Sequence, residues 1–203
     1  MVSQRSTRRD QADRRREQLL EIGLRLFAER GFGATTIADI AGEAGVAHGL
    51  VYHYFASKDA LLSAVLERFS FLPELGQIMD VAPGRPATEI LPAIAARFSA
   101  MIGRRADLLG LVVRESRTNP EVASALGEVA DAGLALLTNY LTERVDAGEL
   151  RPHDVTVTAR ALFYAVVASH LAGAPPPEFP IKLADLVLRG VLAAPDLPQG
   201  ETG

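Results

Sequence analysis

The chain has 203 residues, 48% of them apolar, a formal net charge of −4 and no cysteine. That length and apolar share allow one large domain, or a small one joined to a medium one, with a substantial core. Without cysteine there are no disulfides, thiol chemistry or cysteine-type zinc sites, and the dispersed His48, His53, His153 and His170 form no metal motif, so no metal or cofactor is expected. No uncharged run reaches the ~18 residues of a membrane span, and the Arg-rich start lacks the apolar stretch of a secretory signal, so the expectation is a cytoplasmic protein that binds no membrane.

The net charge hides an asymmetry. Arg5, Arg8, Arg9, Arg14, Arg15 and Arg16 crowd the first sixteen residues against only Asp10 and Asp13, while the acidic excess lies beyond Asp59. A basic end on an acidic body suits a protein that meets a polyanion with one end only.

Residues 1–9 read as a flexible basic arm. A first helix is predicted from Asp10 to Arg30, with Leu19, Ile22, Gly23, Leu26 and Phe27 forming one stripe before Gly31 stops it. Thr36 and Asp39 have the spacing of a capping box, and Ile37, Ile40 and Ala41 give a short helix an apolar face. Gly45 ends that helix, and a second short helix runs from about Ala47 to Phe55, with Val51 and Tyr54 continuing the apolar pattern. Two short helices around a tight Gly-containing turn make a helix-turn-helix. A plain helical hairpin explains the apolar positions, but not the clustering of His48, Gly49, Tyr52, His53 and Lys58 on the opposite side.

Ser57 caps a fourth helix carrying Leu61, Leu62, Val65, Leu66 and Phe69, which should end near Pro73. Pro73 to Pro86 reads as a loop. Helices follow from Ala87 to Gly103 with Thr88 as cap, from Ala106 to about Arg117, from Pro120 to Gly148, from Asp154 to about Gly173 and from about Glu178 to Ala193. The helix after Asp154 is apolar nearly all round from Ala159 to Ala168, so it must be covered on several sides. The prediction is an all-α chain of about nine helices with a frayed tail at 195–203 and no internal repeat.

The pattern Thr36, Ile40-Ala41, Ala44-Gly45-Val46, Gly49, Tyr52, Tyr54-Phe55, Lys58 and Leu61-Leu62, approached by Gly31-Phe32 and Thr35, closely resembles the N-terminal domain of the TetR (tetracycline-repressor) family. The match covers roughly Ile22 to Leu66 without a gap, and beyond it the likeness is one of length and helical character. The resemblance implies a helix-turn-helix DNA-binding domain over residues 13–73, with its motif at 36–55, and a helical ligand-binding and dimerisation domain over 74–194.

In such a domain the second short helix enters the major groove. Ala47, His48 and Leu50 are then the candidates for base edges, and Gly49 allows close backbone approach. By resemblance, Thr36, Tyr52, His53 and Lys58 contact phosphate. Ala47 and Leu50 stand where the family frequently has hydroxyl residues, which alters the DNA sequence read rather than the binding itself.

The resemblance further implies a homodimer through the last two helices, where Ala161, Ala165, Ala168 and Gly190 allow close approach, and a pseudo-palindromic double-stranded operator. It also implies a pocket for an unknown small-molecule effector. The candidate lining is Phe69, Phe98, Met101, Leu108, Val112, Tyr140 and Phe163, with Arg97, Arg114, Glu115 or His170 as polar anchors, although ordinary core packing is the stronger account of any one of these residues taken singly. The expected protein is a ligand-released repressor. The alternatives are a regulator with no effector, and an all-α enzyme, for which no nucleophile–base pair, metal set or phosphate loop speaks.

Overall fold

The computed structural model describes residues 3–78 and 85–191, with side chains from Asp10 onward. Among the described residues there are ten α-helices: α1 (Ser3–Arg30), α2 (Ile37–Glu43), α3 (His48–Tyr54), α4 (Lys58–Phe69), α5 (Leu72–Ile78), α6 (Ala87–Gly103), α7 (Ala106–Glu115), α8 (Pro120–Asp146), α9 (Val155–Leu171) and α10 (Phe179–Val191). No β-strand occurs among the described residues, and the all-α class holds.

Two expectations change. Helix α1 starts at Ser3, not Asp10, so the basic stretch expected as a flexible arm over 1–9 is helical from its third residue. Arg and Gln are good helix formers, and no Gly or Pro interrupts residues 3–9. The loop expected from Pro73 begins instead with α5, the tenth helix. Pro73 lies in its first turn, where a missing N–H leaves no bond unmade, and Leu75 and Ile78 are buried. The tail at 195–203 lies outside the described residues.

The chain folds into two compact units, residues 1–70 with 105–128 and residues 71–104 with 129–203. This grouping differs from a single division at 73: α7 and the first part of α8 belong with the head.

In the head, Leu19, Leu20, Leu26 and Phe27 of α1 are fully buried, as are Ile40, Val51, Leu61 and Val65. The Thr36–Asp39 capping box forms, with the Asp39 amide donating to Thr36 Oγ1 at 3.1 Å and the Thr36 amide donating to Asp39 Oδ2 at 2.8 Å. Gly45 has φ of 64°, and the amides of Gly45 and Val46 donate back to the carbonyls of Gly42 and Ala41. This is the Schellman ending that turns the chain into α3. Ser57 caps α4 by accepting from the Ala60 amide at 3.0 Å.

The C-terminal end of α1 is answered from three directions. Arg114 of α7 donates to the carbonyls of Phe27 (2.7 Å) and Ala28 (3.2 Å). The buried Thr35 hydroxyl stands within donating distance of the carbonyls of Gly31 (2.9 Å) and Leu26 (3.2 Å). Lys58 Nζ donates to the carbonyls of Phe32 (2.8 Å) and Thr35 (3.0 Å).

The second unit is built on α6, α8, α9 and α10, whose Leu91, Leu141, Ala159, Ala184 and Leu188 are almost fully buried. Helix α6 starts at Ala87, ahead of the expected Thr88 cap, because Glu149 Oε2 accepts from the Ala87 amide at 2.7 Å. Arg144 holds that carboxylate from the other side at 2.8 Å.

Two measurements follow. Thr35→Val removes a buried hydroxyl and its bonds to the Gly31 and Leu26 carbonyls, so urea unfolding should show a loss of about 1 kcal/mol. Asp39 has its pKa held below the ordinary 3.8, first by the Thr36 hydroxyl and then by the Thr36 amide. A depressed folded pKa adds stability above the unfolded value and loses it as pH falls through the folded one. The difference in melting temperature between wild type and Asp39→Asn should therefore shrink as pH falls from about 5 to about 2. A constant difference would mean that the carboxylate charge contributes nothing.

Candidate nucleic-acid interface and apolar cleft

Helix α3 turns only Val51 fully inward. Ala47, His48, Gly49, Tyr52 and His53 are exposed, and Tyr52 keeps 48% of its surface in water. His48 and Tyr52, one turn apart, meet edge to face with ring centroids 5.2 Å apart, so the two project together from the helix. Leu50 is half-buried. The structure thus brings six of the eight predicted contact residues onto α3 and its cap.

The remaining two are occupied. The Thr36 hydroxyl lies 2.6 Å from Asp39 Oδ2 and also accepts from the Asp39 amide, so the capping box uses it. Lys58 spends two of its three donors on backbone carbonyls and holds its ammonium 4.3 Å from the centroid of the Phe32 ring. Its first role is to join α4 to the turn after α1.

Sequence reasoning did not place the flank of α3. Gln11, Arg14, Arg15 and Gln18 of α1, at helical spacing, line an open groove with Leu50 and Tyr54. The signal lay in the i, i+3, i+4, i+7 recurrence of polar and cationic residues on one α1 face. A helix with donors outward beside a cationic face can contact base edges and phosphates together.

In the second unit, a cleft is lined by Leu75, Ile78, Leu91, Ile94, Ala95, Phe98, Gly133, Leu136, Leu137, Leu162, Phe163 and Val166, every one apolar. Its free space is about 40 Å³, room for one or two waters. Phe98 and Phe163 stack in it with centroids 4.9 Å apart. Phe163 also packs on Gly133, where a Cβ would come within 2.6 Å of Phe163 Cε2.

Of the predicted pocket residues, only Phe98 and Phe163 line this cleft. Phe69, Leu108, Val112, Arg114 and Glu115 belong to the head unit. There Arg114 caps α1, and Glu115 Oε1 accepts from the Phe32 amide at 3.3 Å. Local apolarity or charge marks all five in the sequence, and the partners of Arg114 and Glu115 lie more than eighty positions away in the chain.

Arg97 and Met101 face another groove on α6, shared with Glu74, Gln77 and Arg104. Tyr140 packs on the core with its hydroxyl buried, and burial pushes its pKa up to about 12. His170 lies 2.9 Å from the buried Ser99 hydroxyl, and burial lowers its pKa.

Comparison with known proteins bears on both units. Residues 19–65 match the profile of bacterial regulatory proteins of the tetR family, and residues 89–173 match that of the AefR-like transcriptional repressor C-terminal domain. The chain is 42% identical over 89 residues to the HTH-type transcriptional regulator BetI of Brucella anthropi, covering 42% of this chain and 45% of that one. It is 36% identical over 97 residues to the HTH-type transcriptional repressor KstR2 of Mycolicibacterium smegmatis, 47% of each. The match thus spans about half the length of these curated relatives. The solved structure of the ketosteroid transcriptional regulator KstR2 of Mycobacterium tuberculosis aligns with a TM-score of 0.72 at 25% identity, over 89% of this chain and 96% of that one.

The Gly133–Phe163 contact yields a direct test. Gly133→Ala forces the Phe163 ring to move, and overpacking of this kind should cost about 1–3 kcal/mol in urea unfolding. Gly127→Ala, with nothing within 4 Å of the added Cβ, serves as control and should be neutral or slightly stabilising.

Proposed function

We propose that the chain, which belongs to the tetR family of bacterial regulatory proteins, is a DNA-binding transcriptional regulator that acts in the cytoplasm as a homodimer and represses its target. The observation that carries this reading is α3, whose His48, Tyr52 and His53 stand outward while its apolar side is committed to the head core. Ala47, His48, Gly49 and Leu50 meet base edges, Tyr52 and His53 meet phosphate, and Arg14 and Arg15 of α1 add the cationic flank. Thr36 and Lys58 contribute by setting the positions of α2 and α4.

The dimer forms through α9 and α10. Val157, Tyr164 and Leu171 are exposed along one side of α9 at intervals of seven residues, with Ala161 and Ala168 between them, and Leu186 of α10 is 69% exposed. Two copies joined there present two heads to half-sites about 34–36 Å apart.

The effector is an apolar small molecule taken up by the cleft of the second unit, and it favours a state in which the heads are wrongly spaced. A coupling of about 1–3 kcal/mol, a change in operator affinity of about 5- to 150-fold, suffices. A second reading keeps the DNA-binding dimer and drops the effector. It is favoured by the small free space of the cleft, about 40 Å³.

Fluorescence anisotropy on labelled DNA from just upstream of the protein's own gene tests the main reading. Wild type should bind with two subunits per site and with strong salt sensitivity. Tyr52→Ala should weaken binding about tenfold, and Arg14→Gln should lower the salt slope by about one. Absence of DNA binding at low salt would overturn the reading. In sedimentation, Tyr164→Glu with Leu186→Glu should give monomers, and a persisting dimer would move the interface elsewhere.

A further inference from the structure

The lining of the cleft is wholly apolar, and the polar pair nearest it along α6 and α9 stands just beyond that lining. Ala95 of α6 and Val166 of α9 both line it. One helical turn further along each helix, about 6 Å, come Ser99 and His170. These two meet across the helices, Ser99 Oγ lying 2.9 Å from His170 Nε2. Ser99 is a buried polar residue, 8% exposed, in a unit otherwise packed with apolar side chains. A buried hydroxyl is costly among apolar groups unless bonded, and here the half-buried His170 ring satisfies it.

We propose that the Ser99–His170 pair recognises the hydroxyl end of a long apolar effector whose body spreads the cleft. This rests on the effector reading above and names the chemistry of its ligand. A hydroxyl both donates and accepts. It can join the pair by accepting from one member and donating to a lone pair of the other. A carboxylate cannot donate, and it would enter a cleft with no charged residue among its lining. Burial keeps the His170 ring neutral near pH 7, so it brings no compensating cation. Arg97 and Arg104 line the separate groove with Glu74 and Gln77. Gly103 lets the ring lie close against α6, since a Cβ there would come 3.3 Å from His170 Cε1.

The test uses the uncharged fluorophore N-phenyl-1-naphthylamine bound to the full-length protein and displaced by three ten-carbon probes: 1-decanol, decanoate and 1-chlorodecane. Decanol should displace it about tenfold more strongly than either of the others. Ser99→Ala and His170→Phe should each bring decanol down to the level of 1-chlorodecane while fluorophore binding persists. Equal displacement by all three probes in wild type would overturn the proposal and leave the effector reading standing, and so would a decanol preference that survives both variants. The wild-type ranking decides even if a variant fails to fold. Failure of the wild type to bind the fluorophore or any probe would overturn both readings.

Discussion

The end of α1 is the constraint on which the head depends. A helix leaves its last carbonyls without partners inside itself, and burial makes each one costly. Here the carbonyls of Phe27 and Ala28, and those of Gly31, Phe32 and Thr35 in the turn that follows, accept from three different segments. Arg114 reaches in from α7, Thr35 folds back from the turn, and Lys58 donates from the first residue of α4. The cations also oppose the negative end of the helix dipole. One set of backbone groups thus positions three elements, and the capping box then starts α2 at a defined residue.

This arrangement decides which polar side chains remain for DNA. A lysine committed to two carbonyls and a threonine committed to its own cap have little left to offer a phosphate. The outward side chains of α3 carry no such commitment, and the α1 face with Arg14 and Arg15 lies beside them. The division matters for specificity. Groups that fix the backbone sit on α2 and α4, and those that stand outward sit on α3.

The local features of the head could be read from the sequence because their physics is local. The capping box at Thr36 and Asp39, the left-handed Gly45 and the Ser57 cap each involve residues within a few positions of one another. Arg114 and Glu115 could not be placed that way. As charges ending an apolar run they resemble pocket anchors, and only the fold brings them to Phe27 and Phe32. The cleft failed to show for a related reason. It depends on Phe163 seating against Gly133, a contact set by the packing of α8 and α9 that no spacing within either helix encodes. Helix α5 was hidden by its Pro and Gly, which mark turns in general but are tolerated where burial of Leu75 and Ile78 outweighs them.

Helix α9 shows how an apolar pattern without clear periodicity can still have two definite sides. Ala159, Leu162, Phe163 and Val166 face the core, while Val157, Tyr164 and Leu171 stand in water. An amphipathic helix on one core needs polar residues on its outer side, and α9 has few between Ala159 and Ala168. Leaving large apolar side chains in water forfeits about 25 cal/mol for each Å² that could be covered, and between Val157 and Tyr164 only Arg160 brings a charge to that side. The inner side of the same helix carries Phe163, whose ring meets that of Tyr164 edge to face with centroids 5.3 Å apart, so the core-facing and the outward aromatic side chains of α9 are in direct contact.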